Sequence, residues 1–209
     1  DALLGLGMTG IGSGKVQKLD LEQAAKLAVS TNKYYAAELG INSAARVTTV
    51  KPSGTTSCVL GTSSGIHAWH NDFYIRRIRV GKNEAIYNYL AINHPELVED
   101  DFFKADTQAI ISIPQRAPEH GILRHETSIE LLNRVKDIYE RWIAPGHTSG
   151  NNTHNVSCTV SVKEEEWDEV GKWMWENREF YNGLSVLPYY GGTHKQMPFE
   201  DTDEQTFNE

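Results

Sequence analysis

Arg46-Val47-Thr48-Thr49-Val50-Lys51-Pro52-Ser53-Gly54-Thr55-Thr56-Ser57 divides into a strand and a loop at Pro52. Residues 46–50 are dense in β-branched side chains, which suit a pleated, half-buried strand. Pro52 has no amide hydrogen to donate and stops the ladder. After it stands one glycine among four hydroxyl side chains. Two readings fit these residues. In one, Gly54 turns successive N–H groups toward a single point, and Ser53, Thr55, Thr56 and Ser57 add hydroxyl donors, forming a nest for phosphate oxygens. In the other, the segment is an ordinary Pro-Ser-Gly turn with solvated hydroxyls.

Working outward, strand and helix signals alternate. Asp20-Leu21-Glu22-Gln23 reads as an N-cap with glutamine at N3, opening a helix that Gly40 closes. Leu21, Ala24, Ala25, Ala28 and Tyr35 form its apolar stripe. A second extended run, Phe73 to Val80, places Tyr74, Arg76, Ile78 and Val80 on one face and Ile75, Arg77 and Arg79 on the other. A short helix follows around Asn83–Asn93, then a strand Ala109–Ile113 that Pro114 ends. A longer helix is predicted from Thr127 or Ser128 to Trp142, stopping at Pro145-Gly146. His147–Asn155 is a polar loop, and Val156–Val162 a β-branched strand. A helix over Glu164–Tyr181 buries Trp167, Val170 and Met174, and Leu184–Leu187 is a last short strand. The pattern is α/β with a largely parallel sheet. Residues 1–199 are read as the folded part and 200–209 as an acid-rich, mobile tail.

Bulk properties exclude several classes. The 209 residues are 39% hydrophobic and 23% charged, ordinary for a globular chain, with no apolar run long enough to span a bilayer. A net charge of −8 argues against a general nucleic-acid surface but leaves room for a local positive pocket. The first residues carry no basic stretch, so no signal peptide is expected, and without methionine they do not look like a natural start. Cys58 and Cys158 lie far apart and outside any CxxC spacing, which fits a reducing cytoplasm and two packed, structural cysteines.

Two motifs are refused. Gly5-Leu6-Gly7-Met8-Thr9-Gly10 spells GxGxxG, but no helix opens at its glycines and no acidic residue ends a following strand. Gly14-Lys15 fails as a Walker A loop, because Thr9 stands at its first glycine and Val16 follows the lysine. The histidine pairs His67/His70 and His120/His125 join no cysteine or carboxylate at a metal-ligand spacing, so no metal site is assigned. Arg76, Arg77 and Arg79 either steer an anionic nucleotide or are solvated and paired on an outer face.

Set together, three segments resemble a known family. Arg46–Ser57 leads through Gly61-Thr62-Ser63-Ser64-Gly65-Ile66-His67 to Tyr74-Ile75-Arg76-Arg77-Ile78-Arg79, which is similar to the KPSGTxS…GxSxGIH…YIRRxR block of adenosylcobalamin-dependent ribonucleotide reductases, closest to the monomeric triphosphate-reducing type. Gly146-His147 through His154-Asn155-Val156-Ser157 resembles the family's GH…HNVS segment, and Gly183–Tyr189 its GLSxLPY segment. Gly7–Gly10 falls on its GMTG segment. The resemblance runs in order over nearly the whole chain.

It implies the second part of a ten-stranded α/β barrel, incomplete without an upstream segment. It also implies reduction of ribonucleoside triphosphates or diphosphates to 2′-deoxyribonucleotides by thiyl-radical chemistry, in the cytoplasm, for DNA replication. Pro52, Ser53, Gly54, Thr55, Thr56 and Ser57 would hold the substrate phosphates, so that binding energy from the non-reacting end positions the ribose. The family's radical cysteine and glutamate belong to a segment upstream, and its C-terminal cysteine pair has no counterpart here. No catalytic residue is therefore assigned in this chain, which alone is expected to be inactive. The implied cofactor is adenosylcobalamin. The implied partners are a ribonucleotide, a polypeptide carrying the upstream half of the barrel and a thioredoxin-like reductant, with neither nucleic acid nor membrane. Without that polypeptide, strand edges and apolar surface should lie open. Tyr189-Tyr190 departs from the cobalamin-dependent pattern and resembles the tyrosine pair by which metal-dependent reductases relay a radical. The alternatives are thus a dimetal cofactor on a separate radical-generating subunit, or a non-catalytic nucleotide-binding or assembly module.

Overall fold

The structure, a computed structural model, describes residues 2–189 and 195–208, apart from the Thr55 side chain. In chain order the elements begin with β1 (Leu3–Met8), α1 (Leu21–Glu38), β2 (Arg46–Val50), α2 (Gly54–Val59), β3 (Phe73–Gly81), α3 (Ala85–Asn93) and β4 (Val98–Asp100). They continue with β5 (Gln108–Arg116), α4 (Ser128–Ile138), β6 (Thr159–Val162), α5 (Trp167–Glu176), β7 (Ser185–Pro188), β8 (Phe199–Asp201) and α6 (Glu204–Asn208). These fall into two compact units: residues 2–69 with 120–189, and residues 70–119 with 195–208.

The first unit is built on parallel strands. β1 pairs with β2, setting Gly7 beside Thr49 and Met8 beside Val50, and β6 pairs with β7, setting Val160 beside Val186. A parallel bridge between Val50 and Val156 ties the two pairs at the end of β2. Four of the five β2 residues are buried, as a parallel strand covered on both faces should be. α1 starts where the sequence predicts: the Asp20 carboxylate accepts from Gln23 N–H at 3.0 Å, and Gly40 beyond the C-terminal end has φ +67°. α4 carries a full capping box, Thr127 with Glu130.

The predicted helix to Trp142 is real but changes pitch, widening to a π turn over Tyr139–Ile143. That turn seats Trp142 on β2. Its indole Nε1 donates to Thr49 O at 3.1 Å, and Thr48 Oγ1 donates to Trp142 O at 2.6 Å. Two buried threonines thereby find partners. Gly146 follows so close to Thr48 that a Cβ there would overlap the threonine side chain. The core gathers Ile11, Val50, Ile66, Leu132, Ile138 and Val160, all nearly inaccessible.

The second unit overturns the expectation of a largely parallel sheet. Its four strands, in the order β4-β5-β3-β8, are antiparallel throughout. Pro114 does not end its strand: β5 continues to Arg116, with Pro114 opposite Ile75 on β3. On its other side β5 is covered by β4 only from Ala109 to Ile111, so at Pro114 the missing N–H removes no bond to β4. The segment 200–209, expected as a mobile tail, supplies the end of β8 and the helix α6. The aromatic residues at its margins hold it: Phe199 stacks on His70, with ring centroids 5.3 Å apart, and Phe207 meets Phe73 at 5.4 Å.

Smaller differences are physical too. Regular pairing in β6 begins at Thr159, three residues after the predicted Val156, because residues 155–157 are engaged with Val50 instead. α5 buries Val170 and Trp173 rather than Trp167, which stands exposed at the first turn. No helix among the described residues is long and apolar enough to cross a membrane.

Candidate phosphate-binding site

β2 delivers the chain to the site. After Val50 the backbone leaves the sheet through Lys51 and Pro52, and Ser53 takes φ +53°, a left-handed conformation, as the residue that caps α2. The sequence reading assigned the unusual angle to Gly54, but Ser53 adopts it and Gly54 enters the helix. Hydroxyl residues tolerate such a position when a local bond compensates, and Ser53 Oγ donates to Lys51 O at 3.3 Å. The ladder of α2 opens with Ser57 N–H donating to Ser53 O at 2.9 Å, so the Thr55 and Thr56 amides lie upstream of it in the first turn. A Cβ built on Gly54 meets nothing within 4 Å.

The hydroxyls do not all serve the loop's outer face. Ser57 is fully buried and its Oγ donates to Gly54 O at 3.1 Å, so it braces the turn from within. Thr56 is exposed. Backbone amides, rather than a ring of four hydroxyls, therefore dominate what the loop can offer an anion.

Segment 64–65 holds this loop, and residues 9–11 hold that segment in turn. Ser64 Oγ donates to Pro52 O, and the Gly65 backbone lies against the carbonyls of Lys51 and Pro52 at φ +56°, where a Cβ would collide with Lys51 O. Behind it, the hydroxyl of Thr9 donates to Ser63 O at 3.1 Å and accepts from Gly65 N–H at 2.9 Å. Gly10 N–H reaches Ser63 O and Ile11 N–H reaches Gly65 O, both at 3.1 Å. Within the Gly5–Gly10 run, Gly5 and Gly7 lie in β1 and Gly10 takes φ +73° ahead of a single 3₁₀ turn. Among the described residues, then, GMTG, PSGTTS and GTSSGIH converge on one place.

His67 closes this arrangement. Thr159 N–H donates to its Nε2 at 3.1 Å, which leaves the ring proton on Nδ1, facing Ser64 O at 3.1 Å. It is a hydrogen-bonding bridge between loop and β6. No group of three potential metal ligands occurs among the described residues.

The other candidates separate. Cys158 is buried, and burial pushes its thiol up to about 12, in keeping with a structural role. Cys58 differs from the sequence reading: it is exposed at the end of α2, with Sγ donating to Gly54 O. Arg77 pairs with the exposed Glu99 and Glu200, and Arg79 with the buried Asp101, so both arginines are engaged by carboxylates. Arg76 lies over the Phe199 ring. Tyr189 follows β7, half-exposed, its N–H donating to Val162 O at 2.7 Å. Tyr190 lies outside the described residues.

Sequence reading missed a buried ion pair beside the loop. Arg134 on α4 makes two bonds to Glu126, at 2.6 and 2.7 Å, and its Nε donates to Ile66 O at 3.2 Å. A spacing of eight residues matches no motif, and only the tertiary fold brings Ile66 to them.

No protein-family profile matches the chain. It is similar to adenosylcobalamin-dependent ribonucleoside-triphosphate reductases from three bacteria. The Lactobacillus acidophilus protein is 30% identical over 88% of this chain, the Lactobacillus helveticus protein 29% over 87% and the Lactobacillus leichmannii protein 27% over 90%. The chain spans only 24% of the length of each. A crystal structure of a B12-dependent (class II) ribonucleotide reductase superposes with a TM-score of 0.74 at 24% identity, over 93% of this chain and 26% of that one. Over the stretch that it spans, the chain is similar in sequence to adenosylcobalamin-dependent ribonucleoside-triphosphate reductases and shares the fold of the class II enzyme there.

Proposed function

We propose that this chain is the substrate-phosphate-binding part of a ribonucleotide reductase that converts ribonucleoside triphosphates to 2′-deoxyribonucleotides for DNA synthesis. The observation that carries this reading is the open space over Gly54. At the first turn of α2, where amides precede the helix ladder, Ser64 and Gly65 hold the approaching backbone, Thr9 braces them from behind, and a Cβ on Gly54 would meet nothing within 4 Å. Lys51 adds an exposed cation at the loop's entry. Bound there, the phosphates anchor the nucleotide while the ribose is presented to groups outside this chain, and the chemistry at the 2′ carbon belongs to those groups. Diphosphates present the same oxygens to this loop and are the alternative substrate.

The relatives' dependence on adenosylcobalamin supports that cofactor over a dimetal partner feeding Tyr189-Tyr190. The cavity of about 650 Å³ between β1 and α1, lined by Leu4, Leu6, Leu27, Tyr35 and other mostly apolar groups, offers few donors to an amide-rimmed corrin and does not fit it.

That same groove supports the proposed partner, a polypeptide supplying the upstream half of a ten-stranded barrel. Parallel strands are normally covered on both faces, yet Leu3, Leu4 and Leu6 of β1 and Tyr35 of α1 are about half exposed. A thioredoxin-like reductant and a cytoplasmic site complete the proposal.

The test is nucleotide affinity of the full-length protein bearing this chain. Gly54→Val should abolish ribonucleoside-triphosphate binding while leaving the fold intact, because the added side chain enters open space. Unchanged affinity rules the cradle out. Reductase activity that rises only with added adenosylcobalamin separates that cofactor from a metal-radical subunit.

A further inference from the structure

Arg134 is a charge buried where the fold alone gives it little reason to be. It is 6% exposed, and its guanidinium is divided between a two-pronged bond to Glu126 and a single bond from Nε to Ile66 O. Glu126 stands just before the α4 cap and Arg134 within α4, so the pair joins no distant elements by itself. The long-range bond in this group is the one to Ile66 O. A buried ion pair is poor evidence for stability, since apolar residues of similar volume often serve as well. Its retention calls for another reason.

Ile66 lies between Gly65, whose backbone abuts Lys51 and Pro52, and His67, whose ring is held by Thr159 N–H. Ser64, two residues before Ile66, donates to Pro52 O. Thr9 grips the same segment from behind. Segment 64–67 thus backs the loop at Pro52–Ser57, and Arg134 ties it to the core. We propose that Arg134, oriented by Glu126, is a positioning residue that sets the phosphate loop's geometry through the Ile66 carbonyl. The inference rests on the phosphate-binding reading given above.

The experiment compares three variants of the full-length protein by thermal unfolding and by ribonucleoside-triphosphate titration. Replacing both partners, E126L with R134L, removes the charge pair whole and should lower the melting temperature only modestly, the cost being the donor lost to the buried Ile66 carbonyl. Nucleotide affinity should nevertheless fall on the order of tenfold or more, since small displacements of positioning groups have effects of that size. R134K keeps the charge for Glu126 but lacks the forked geometry to hold Ile66 O as well, so it too should bind weakly. E166Q, which weakens the hydrogen bonds to Ser128 at the start of α4, should lower the melting temperature while affinity stays unchanged. Affinity retained in a folded E126L/R134L protein overturns the positioning role, as does affinity that merely tracks melting temperature across the three. Absence of binding in the wild-type protein defeats the phosphate reading itself, a result separate from either.

Discussion

Gly65 and Lys51 meet backbone against backbone: the Gly65 Cα faces the Lys51 carbonyl oxygen with no room for a methyl group, at φ +56°. This contact sets the distance between the loop after β2 and the segment that backs it. Gly65→Ala must both strain the backbone and push the carbonyl away. We expect a loss of about 1–3 kcal/mol in unfolding free energy, read by chemical denaturation, together with weaker nucleotide binding. A variant of unchanged stability contradicts the contact.

Gly146 and Thr48 form a second close approach, further back along β2. Gly146→Ala should destabilise by about 1–3 kcal/mol through overpacking. Thr48→Ala removes the overlapping Oγ1 and Cγ2 but also the hydrogen bond to Trp142 O. The double variant should therefore be more stable than the sum of the two single losses, a coupling that a double-mutant cycle measures.

The two cysteines should react very differently. Cys58 is exposed and alkylation should modify it in the native protein, whereas buried Cys158, with its thiol pushed up to about 12, should stay unmodified until the protein unfolds. Because the folded value exceeds the unfolded one near 9.0, the unfolded chain gives up this proton first. Stability should fall as pH rises from about 9 toward 12, and Cys158→Ala should flatten that slope. Equal labelling of both native thiols contradicts the buried placement.

Much of this was legible in the chain. The Asp20 cap, a helix start at Thr127 or Ser128 and the β-branched run to Val50 were readable because each depends on neighbours in sequence. The meeting of Ser64 and Gly65 with Pro52, and of Thr9 with Ser63 and Gly65, could not be read locally, since no local pattern says which loops will touch. The antiparallel sheet of the second unit was missed because alternation along Phe73–Val80 does not encode strand direction. Pro114 misled for a related reason: whether a proline ends a strand depends on which edge its nitrogen faces. Arg134 was invisible, because its role lies in a tertiary contact with Ile66.

Acid should loosen the start of α4. Thr127, through its backbone N–H and then its hydroxyl, holds the Glu130 carboxyl below the usual range. Burial alone would raise Glu166, but the Lys163 N–H and then the Ser128 hydroxyl and N–H outweigh it and hold this group low as well. A lowered folded value means that the stabilisation is present above the unfolded value of 4.5 and is lost as pH falls below it. Glu130→Gln should therefore lose stability at pH 7 and show a shallower decline between about pH 4.5 and 2. A parallel decline in variant and wild type contradicts the assignment.

The central claim is the place of the substrate phosphates. A crystal structure of the full-length protein with a bound ribonucleoside triphosphate tests it most directly. The account predicts phosphate oxygens within hydrogen-bonding distance of backbone amides between Ser53 and Ser57, in the space over Gly54. A nucleotide bound with its phosphates elsewhere, and that space filled only by solvent, would contradict it.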